Sequence, residues 1–380
     1  MTSGKGNLLW RGSRFAGAVS LVALSCAPSR PSGKSTALNG QARDFALATS
    51  AEAGKSESGP QAGKPGAQAG KPGAQAGTQA PHPASTDSQG PAPVNVLPNS
   101  VTFAREVELE LIHALPIDRL DNFQPSGLLW HEGKLLTVSD KHETEVFELV
   151  VEEQRVTVRT YAQFVLPPGV VELDLEGLCS DGAGGLLLAS EAQVRVLRIA
   201  SDSKVSWATP PLDRLGASVG LFALPNAKLE GIARLDDGRI ILAAERSERG
   251  LLELPRDADL SRAAAWSMPM SVFRTPMGRA PDFSDLATSE NELFALMRSA
   301  HLIVSLKRGV TGWAEGDAWS FAAAENDDRY GYLDRRYGIA EGLALDGNFV
   351  YLVFDNNGNG RSRAPADIRP QLLVFERPPR

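Results

Sequence analysis

A short unit recurs five times between residues 126 and 355, and no other feature restricts the fold as strongly. Each copy opens on a polar residue, usually followed by glycine and an apolar residue. A turn and an apolar run follow, and the unit usually ends on an acid. The copies are Ser126-Gly127-Leu128 ending at Asp140, Glu176-Gly177-Leu178 ending at Glu191, Glu230-Gly231-Ile232 ending at Glu245, Ser284-Asp285-Leu286 ending at Arg298, and Glu341-Gly342-Leu343 ending at Asp355. Openers stand 50 to 57 residues apart, and the second and last residues of a unit are 13 or 14 apart. Turn-forming pairs divide the apolar runs: Glu132-Gly133, Gly184-Gly185, Asp237-Gly238, Glu290-Asn291 and Gly347-Asn348. Two more strand-like runs follow each of the first four units, at 146–151 and 156–164, 194–200 and 204–208, 250–254 and 264–272, and 301–306 and 318–323. No segment keeps a helical period. Four antiparallel strands per repeat, at a period of about 54 residues, predict the blades of an all-β, five-bladed propeller.

The fifth unit has only three such runs, 343–345, 349–354 and 371–376. The missing strand is available at the other end of the domain. Residues 101–115 alternate apolar and polar side chains over much of their length, so this segment is predicted to be the outer strand of the last blade and to close the ring. Closure leaves no long free edge. The propeller domain is thus expected over 99–380.

The remainder reads differently. Residues 1–26 have the form of an export signal: Lys5, Arg11 and Arg14 precede a short apolar run that ends in Ala23-Leu24-Ser25-Cys26. That ending resembles a bacterial lipobox, with Cys26 as the lipidated residue, although a lipobox prefers leucine where Ala23 stands. Lipid anchoring on the exported side of the membrane and release as a soluble secreted protein are the two outcomes. Residues 27–98 are rich in Ala, Gly, Pro, Ser and Gln, and a seven-residue unit beginning Gly63-Lys64-Pro65 repeats from Gly70. Too little apolar surface is present to offset chain entropy, so a disordered tether is expected, with a mean reach of about 50 Å. The net charge of −7 and the absence of a basic patch argue against nucleic acid as a partner. Two cysteines in such different settings exclude a disulfide framework, and Cys179 reads as a small buried side chain.

In a propeller the start of each innermost strand and the end of the next lie on one face of the disc. The five openers and five terminal residues therefore share that face: Ser126, Glu176, Glu230, Ser284 and Glu341 with Asp140, Glu191, Glu245, Arg298 and Asp355. Seven of these are carboxylates, and Asp285 adds an eighth. Like charges so close raise one another's pKa or recruit cations. Glu176, Glu230 and Glu341, with hydroxyls from Ser126 and Ser284 and the Asp285 carboxylate, form an oxygen-only ligand set that suits Ca2+ or Mg2+ better than zinc. Two other readings stand beside it. The acids could cap loop amides or pair with Arg195, Arg246 and Arg249, or two could form a metal-free catalytic pair. Asp140, Arg246, Arg298, Asp355 and Arg361 are candidates to contact a bound ligand. Arg361, Arg363 and Arg369, in the loop after Asp355, could meet an anion or face solvent. His142 reads as a solvated loop residue. No nucleophile elbow, phosphate loop or dinucleotide fingerprint occurs.

At these residues the chain resembles the SdiA-regulated family of bacterial propellers, in the order of its openers and in Val138-Ser139-Asp140, Ala244-Glu245-Arg246 and Leu373-Val374-Phe375-Glu376-Arg377. The resemblance covers about residues 125–377. It implies a five-bladed propeller with a calcium ion near the axis, held by Glu176, Glu230 and Glu341. A looser similarity, to the "esterase-like activity of phytase" family, lies in the Glu-Gly-Leu openers, the strand ends and the export signal. It implies calcium-linked hydrolysis of phosphoesters or esters. Arg298 departs from the acidic pattern of both.

Two functions follow. One is a non-catalytic module that binds a protein, glycan or small anionic ligand on the acidic face, with calcium as a structural pin. The other is a metal-dependent hydrolase, with Glu245 or Glu191 as general base. The fold alone does not choose between them.

Overall fold

The computed structural model describes residues 104–118, 121–335 and 338–379. The export signal with Cys26, the tether and the first residues of the closing segment lie outside the described residues. Two short strands come first, β1 (Glu106–Glu108) and β2 (Leu111–Pro116). The first blade is β3 (Pro125–His131), β4 (Lys134–Ser139), β5 (Glu145–Val151) and β6 (Val156–Gln163). The second is β7 (Leu175–Ser180), β8 (Leu186–Ser190), β9 (Arg195–Ile199) and β10 (Val205–Trp207). The third is β11 (Leu229–Arg234), β12 (Ile240–Ala244), β13 (Gly250–Leu254) and β14 (Ala264–Ser267). The fourth is β15 (Asp285–Ser289), β16 (Glu292–Met297), β17 (Leu302–Arg308) and β18 (Trp313–Ser320). The last is β19 (Ala340–Leu345), β20 (Phe349–Phe354) and β21 (Gln371–Glu376), completed by β2. This is the five-bladed propeller that the repeats predict.

The closing segment divides its pairing between two blades. β2 runs antiparallel to β21, with Leu115 opposite Leu372, and supplies the fourth strand of the last blade as expected. β1 instead lies parallel to β18 on the rim of the fourth blade, with Glu106 opposite Ala318. The handover falls at Leu109-Glu110: the Leu109 amide donates to Ser320 at 2.8 Å, and the Glu110 carbonyl accepts from Glu376 at 3.0 Å. Alternation alone marks a strand but not its neighbour, so the pattern over 101–115 could not separate the two halves. The outer strand expected at 318–323 also shifts, to 313–320, and Ala322–Asn326 forms a one-turn helix. An alanine run favours that turn.

Apolar faces of neighbouring blades form the core. Leu136 and Val146 of the first blade pack with Leu178 and Leu188 of the second, and Leu296 and Ile303 of the fourth with Leu343 and Leu352 of the fifth. β8 and β12 are buried along their whole length. Each such Leu, Ile or Val contributes about 1.5–3 kcal/mol on leaving water. Cys179 is buried among them, as expected, and burial pushes its thiol pKa up, away from reactivity.

Candidate functional site

The sheet slips by a residue in four blades where the unit opens. Leu175 pairs with Ser190 and Gly177 with Ala189, which leaves Glu176 unmatched; Glu341 is skipped in the same way between Ala340 and Gly342. Similar shifts bracket Ser126-Gly127 and Glu230-Gly231. A bulge turns a side chain out of the regular alternation, here at the axis. Glycine follows the opener because the inner strands nearly touch: a Cβ on Gly127 would stand 2.7 Å from the Gly177 Cα. The fourth blade has Asp285 in the glycine's place and keeps regular register from there, with Asp285 opposite Leu296.

The Asp285 side chain fills the axis. Its carboxylate accepts the backbone amides of Leu128 at 3.0 Å, Leu343 at 2.8 Å and Leu286 at 2.8 Å, and so ties the first, fourth and fifth blades. Burial pushes its pKa up to about 8 while the three amides pull the other way. Among the expected cation ligands, Asp285 is therefore committed to backbone, and Ser284 likewise donates to the Ala340 carbonyl at 3.0 Å. A channel of about 180 Å3 is lined by all five inner strands, including Leu128, Cys179, Ile232, Leu286 and Leu343.

Terminal acids are brought beside the openers by backbone hydrogen bonds to the residue two places before each opener. The Glu191 amide donates to Asp174 at 2.9 Å, Glu245 to Lys228 at 3.0 Å and Asp355 to Ile339 at 2.9 Å. Two overlapping groups of carboxylates result. Oxygens of Asp174, Glu176 and Glu191 lie within 4.8 Å of one another, and so do those of Glu191, Glu230 and Glu245. Glu191, Glu230 and Glu245 are buried, and Glu245 Oε2 has no hydrogen-bond partner. Burial, then the charges of Asp174 and Asp140, hold Glu176 well above the usual carboxylate range; burial and then Glu176 do the same to Glu230. Glu191 is pushed up to about 7 by burial, against a hydrogen bond from the Lys228 amide at 2.8 Å, with Asp174 adding to the rise.

Glu341 belongs to a different arrangement. Its carboxylate meets Arg298, which also pairs with Glu245 and, at 3.3 Å, with Asp282. Burial works against the Arg298 charge, but Glu341, Glu230 and Asp282 more than offset it and hold the guanidinium pKa above its ordinary value. The expected trio of Glu176, Glu230 and Glu341 thus parts company: Glu176 and Glu230 join other acids, and Glu341 is taken by Arg298. Ser126 is buried.

Asp140 sits against Lys141, with its pKa raised by burial in spite of that lysine. Asp355 caps the Asn357 amide at 3.1 Å and is pushed up to about 7 by burial and by Glu341. Of the three arginines expected to neutralise the acids, only Arg246 does so, on Glu245. Arg249 pairs with Glu315, and Arg195 donates to the Thr209 carbonyl. Arg361 lies 3.3 Å from Asp367, which Arg369 shares at 2.8 Å. His142 is not fully solvated; it packs edge-on to Phe147, ring centroids 5.5 Å apart.

Sequence reasoning missed Asp174 and Asp282. Both stand two places before an opener, in Asp174-Leu175-Glu176 and Asp282-Phe283-Ser284, and the period-two rule for strands could have flagged them. Arg279 was missed for want of any signal, since it lies in the irregular segment between β14 and β15.

No family model matches the sequence, and no curated protein does. The resemblance to the SdiA-regulated family therefore stands on the motifs quoted above. Among solved structures, the chain is similar to propeller proteins at low identity. Glutaminyl cyclase of Myxococcus xanthus is 11% identical over 72% of this chain and 100% of its own, with a TM-score of 0.44. A gluconolactonase of Xanthomonas campestris is 14% identical over 70% of this chain and 98% of its own, with a TM-score of 0.38. Regucalcin of Agrobacterium tumefaciens, a calcium-binding protein, is 10% identical over 72% of this chain and 96% of its own, with a TM-score of 0.39. Likeness this distant carries no function across.

Proposed function

We propose that the protein is an exported binding module of the SdiA-regulated kind, whose acidic half-face holds a calcium ion beside a ligand site. The observation that carries this is the buried group of Glu191, Glu230 and Glu245, with Glu245 Oε2 unpartnered and Glu176 and Asp174 adjoining. Oxygens bound to one calcium ion at about 2.3–2.6 Å lie within about 5 Å of one another, which matches this spacing, and a set made only of carboxylates disfavours zinc. Without a cation these groups must take up protons or repel. A divalent ion would replace the protons and join the second and third blades.

The hydrolase reading is weaker. Its proposed bases, Glu245 and Glu191, belong to the group that would hold the ion, and the sequence carries no nucleophile motif. Calcium here pins the face rather than activating water. Lipidation at Cys26 would tether the domain to a membrane surface by the 27–98 linker. Among the described residues no helix is long and apolar enough to cross a membrane. A protein, glycan or small anion is the partner expected on this face, and nucleic acid is not.

The test is elemental analysis of the purified protein with melting curves in calcium and in chelator. Bound calcium and a higher melting temperature are expected. A melting curve indifferent to both, with no metal in the protein, would remove the reading. Cys26→Ser should abolish labelling by a fatty acid and move the protein to the soluble fraction; a wild type that takes no label has no anchor at this residue.

A further inference from the structure

A cavity of about 610 Å3 opens beside Arg298 and shares no residue with the two carboxylate groups. Arg246, Arg279, Ser299 and Asn357 bring hydrogen-bond donors to it, and its two acids, Asp282 and Glu341, are both engaged by Arg298. Its volume lies within the range of small-molecule sites, about 300–1,000 Å3.

Two of the donors are unsatisfied. Arg279 donates through Nη2 to the Arg335 carbonyl at 2.9 Å, but its buried Nη1 has no hydrogen-bond partner. No carboxylate among the described residues pairs with this guanidinium, whereas Arg246 and Arg298 both reach Glu245. Ser299 is 4% exposed; its amide is used, donating to Asp282 at 3.0 Å, while its Oγ has no partner. A buried donor left unmade costs about 1–3 kcal/mol, and more when it is charged. The net charge is even, since Arg246, Arg279 and Arg298 face Glu245, Asp282 and Glu341, but all three acids are taken by Arg246 and Arg298, which leaves Arg279 with none.

We propose that this cavity binds a small oxyanion, a phosphate or carboxylate head group, held by Arg279 Nη1 and Ser299 Oγ with Arg246 at its side. The inference deepens the binding-module reading and rests on it for the role of the ligand, but the site itself needs no calcium. A planar guanidinium and a hydroxyl are suited to oxygen anions of either kind, and phosphate and carboxylate are separated by the choice of probe.

The experiment is calorimetric titration of the purified protein, freed of calcium on a chelating resin, with inorganic phosphate and separately with succinate. Binding of at least one is expected, and the tighter of the two names the head group. Arg279→Ala should weaken it about tenfold or more, and Ser299→Ala about threefold or more, as loss of hydrogen bonds to a charged group requires. Arg329→Ala removes an exposed arginine that pairs with Asp327 and should change nothing. If Arg279→Ala does not fold, Ser299→Ala decides, since it deletes one hydroxyl. Failure of both probes to bind, or equal affinity in wild type and Ser299→Ala, overturns the proposal; so does an equal loss in Arg329→Ala, which marks charge attraction without a site. Glu230→Gln should remove most of the calcium response and spare phosphate binding, so failure of the cation site and failure of this one give different results.

Discussion

The axial face has two halves built from equivalent positions of the same repeat. On the side of the third to fifth blades, Glu245, Glu341 and Asp282 converge on Arg298. On the side of the first to third, Glu191 joins Asp174 and Glu176 to Glu230 and to the second oxygen of Glu245, which straddles the two halves. Burial raises the pKa of Glu341 in the first half and of Glu176, Glu191 and Glu230 in the second. In the first, Arg298 opposes that rise at Glu341; around Glu176 the named neighbours, Asp174, Asp140, Glu341 and Glu191, all add to it. A single exchange, arginine for acid at the end of the fourth unit, therefore divides a pseudo-symmetric ring. One half contains its own cation and the other calls for one from solution. The same blade also loses its opener glycine, and Asp285 closes the axis there.

The largest effect should come from making the two halves alike. Arg298→Gln keeps hydrogen-bonding capacity but leaves Glu341 and Asp282 buried without a counter-charge and Glu245 with Arg246 alone. Breaking a buried ion pair by removing one partner costs about 3–5 kcal/mol, and urea unfolding should show a loss of that size. Calcium should then restore more stability than it adds to the wild type, because both halves would demand cations. A loss below about 1 kcal/mol, the level of a surface ion pair, would mean that the guanidinium does not organise its half.

The next test acts on the other half. Calcium at a hundred times its dissociation constant should stabilise the wild type by about 2.7 kcal/mol. Glu230→Gln should remove most of that response. Glu148→Gln, on β5 and paired with Lys134 at 3.3 Å, should leave it intact. Equal responses in the two variants would show that calcium acts elsewhere.

Acidity gives an effect of definite sign. The Glu191 pKa is raised in the folded protein from 4.5 to about 7, so the folded state binds more protons than the unfolded one between those values. Its contribution to stability is fully present below the unfolded pKa and is lost as pH rises through about 7. In calcium-free buffer the wild type should therefore lose stability relative to Glu191→Gln as pH rises over that window. Calcium should oppose the loss, and bind more tightly as pH rises, because its ligands must be deprotonated. A wild type that gains stability relative to Glu191→Gln over the same window would contradict the assigned direction.

The blades were legible because their cause is local. Turn pairs such as Asp237-Gly238 and alternating apolar runs carry the strand pattern, and five copies leave little choice of architecture. The face was legible because a propeller places equivalent residues together. What the sequence did not carry is pairing in three dimensions. Glu341 looks equivalent to Glu176 in the repeat, yet its neighbour is an arginine from another blade. Glu106 and Leu115 look like one strand, yet they join different sheets, because two rims were free to accept them. Asp285 looked like one more ligand, and only the approach of Leu128 and Leu343 reveals three amides that need an acceptor.

The smallest effect concerns Lys141, at the edge of the cation-demanding half. Its ammonium meets Asp140 and feels the charges of Asp174 and Glu176, but its side chain is 43% exposed. An exposed pair of this kind contributes at most about 1 kcal/mol, so Lys141→Ala should leave the melting temperature in chelator almost unchanged. Its effect on calcium has the opposite sign to that of any ligand. Removing a positive charge near the carboxylates lowers the repulsion felt by an arriving cation, and calcium should bind a few-fold more tightly, about the value of a screened charge–charge interaction near a protein surface. The gain should shrink as salt is raised. The same substitution at Lys134, which faces Glu148, provides the control. If Lys141→Ala instead weakened calcium binding as strongly as Glu230→Gln, the lysine would be holding Asp140 in place for the ion. The acid half would then be a site assembled by its own cation, and the contrast with the Arg298 half would no longer hold.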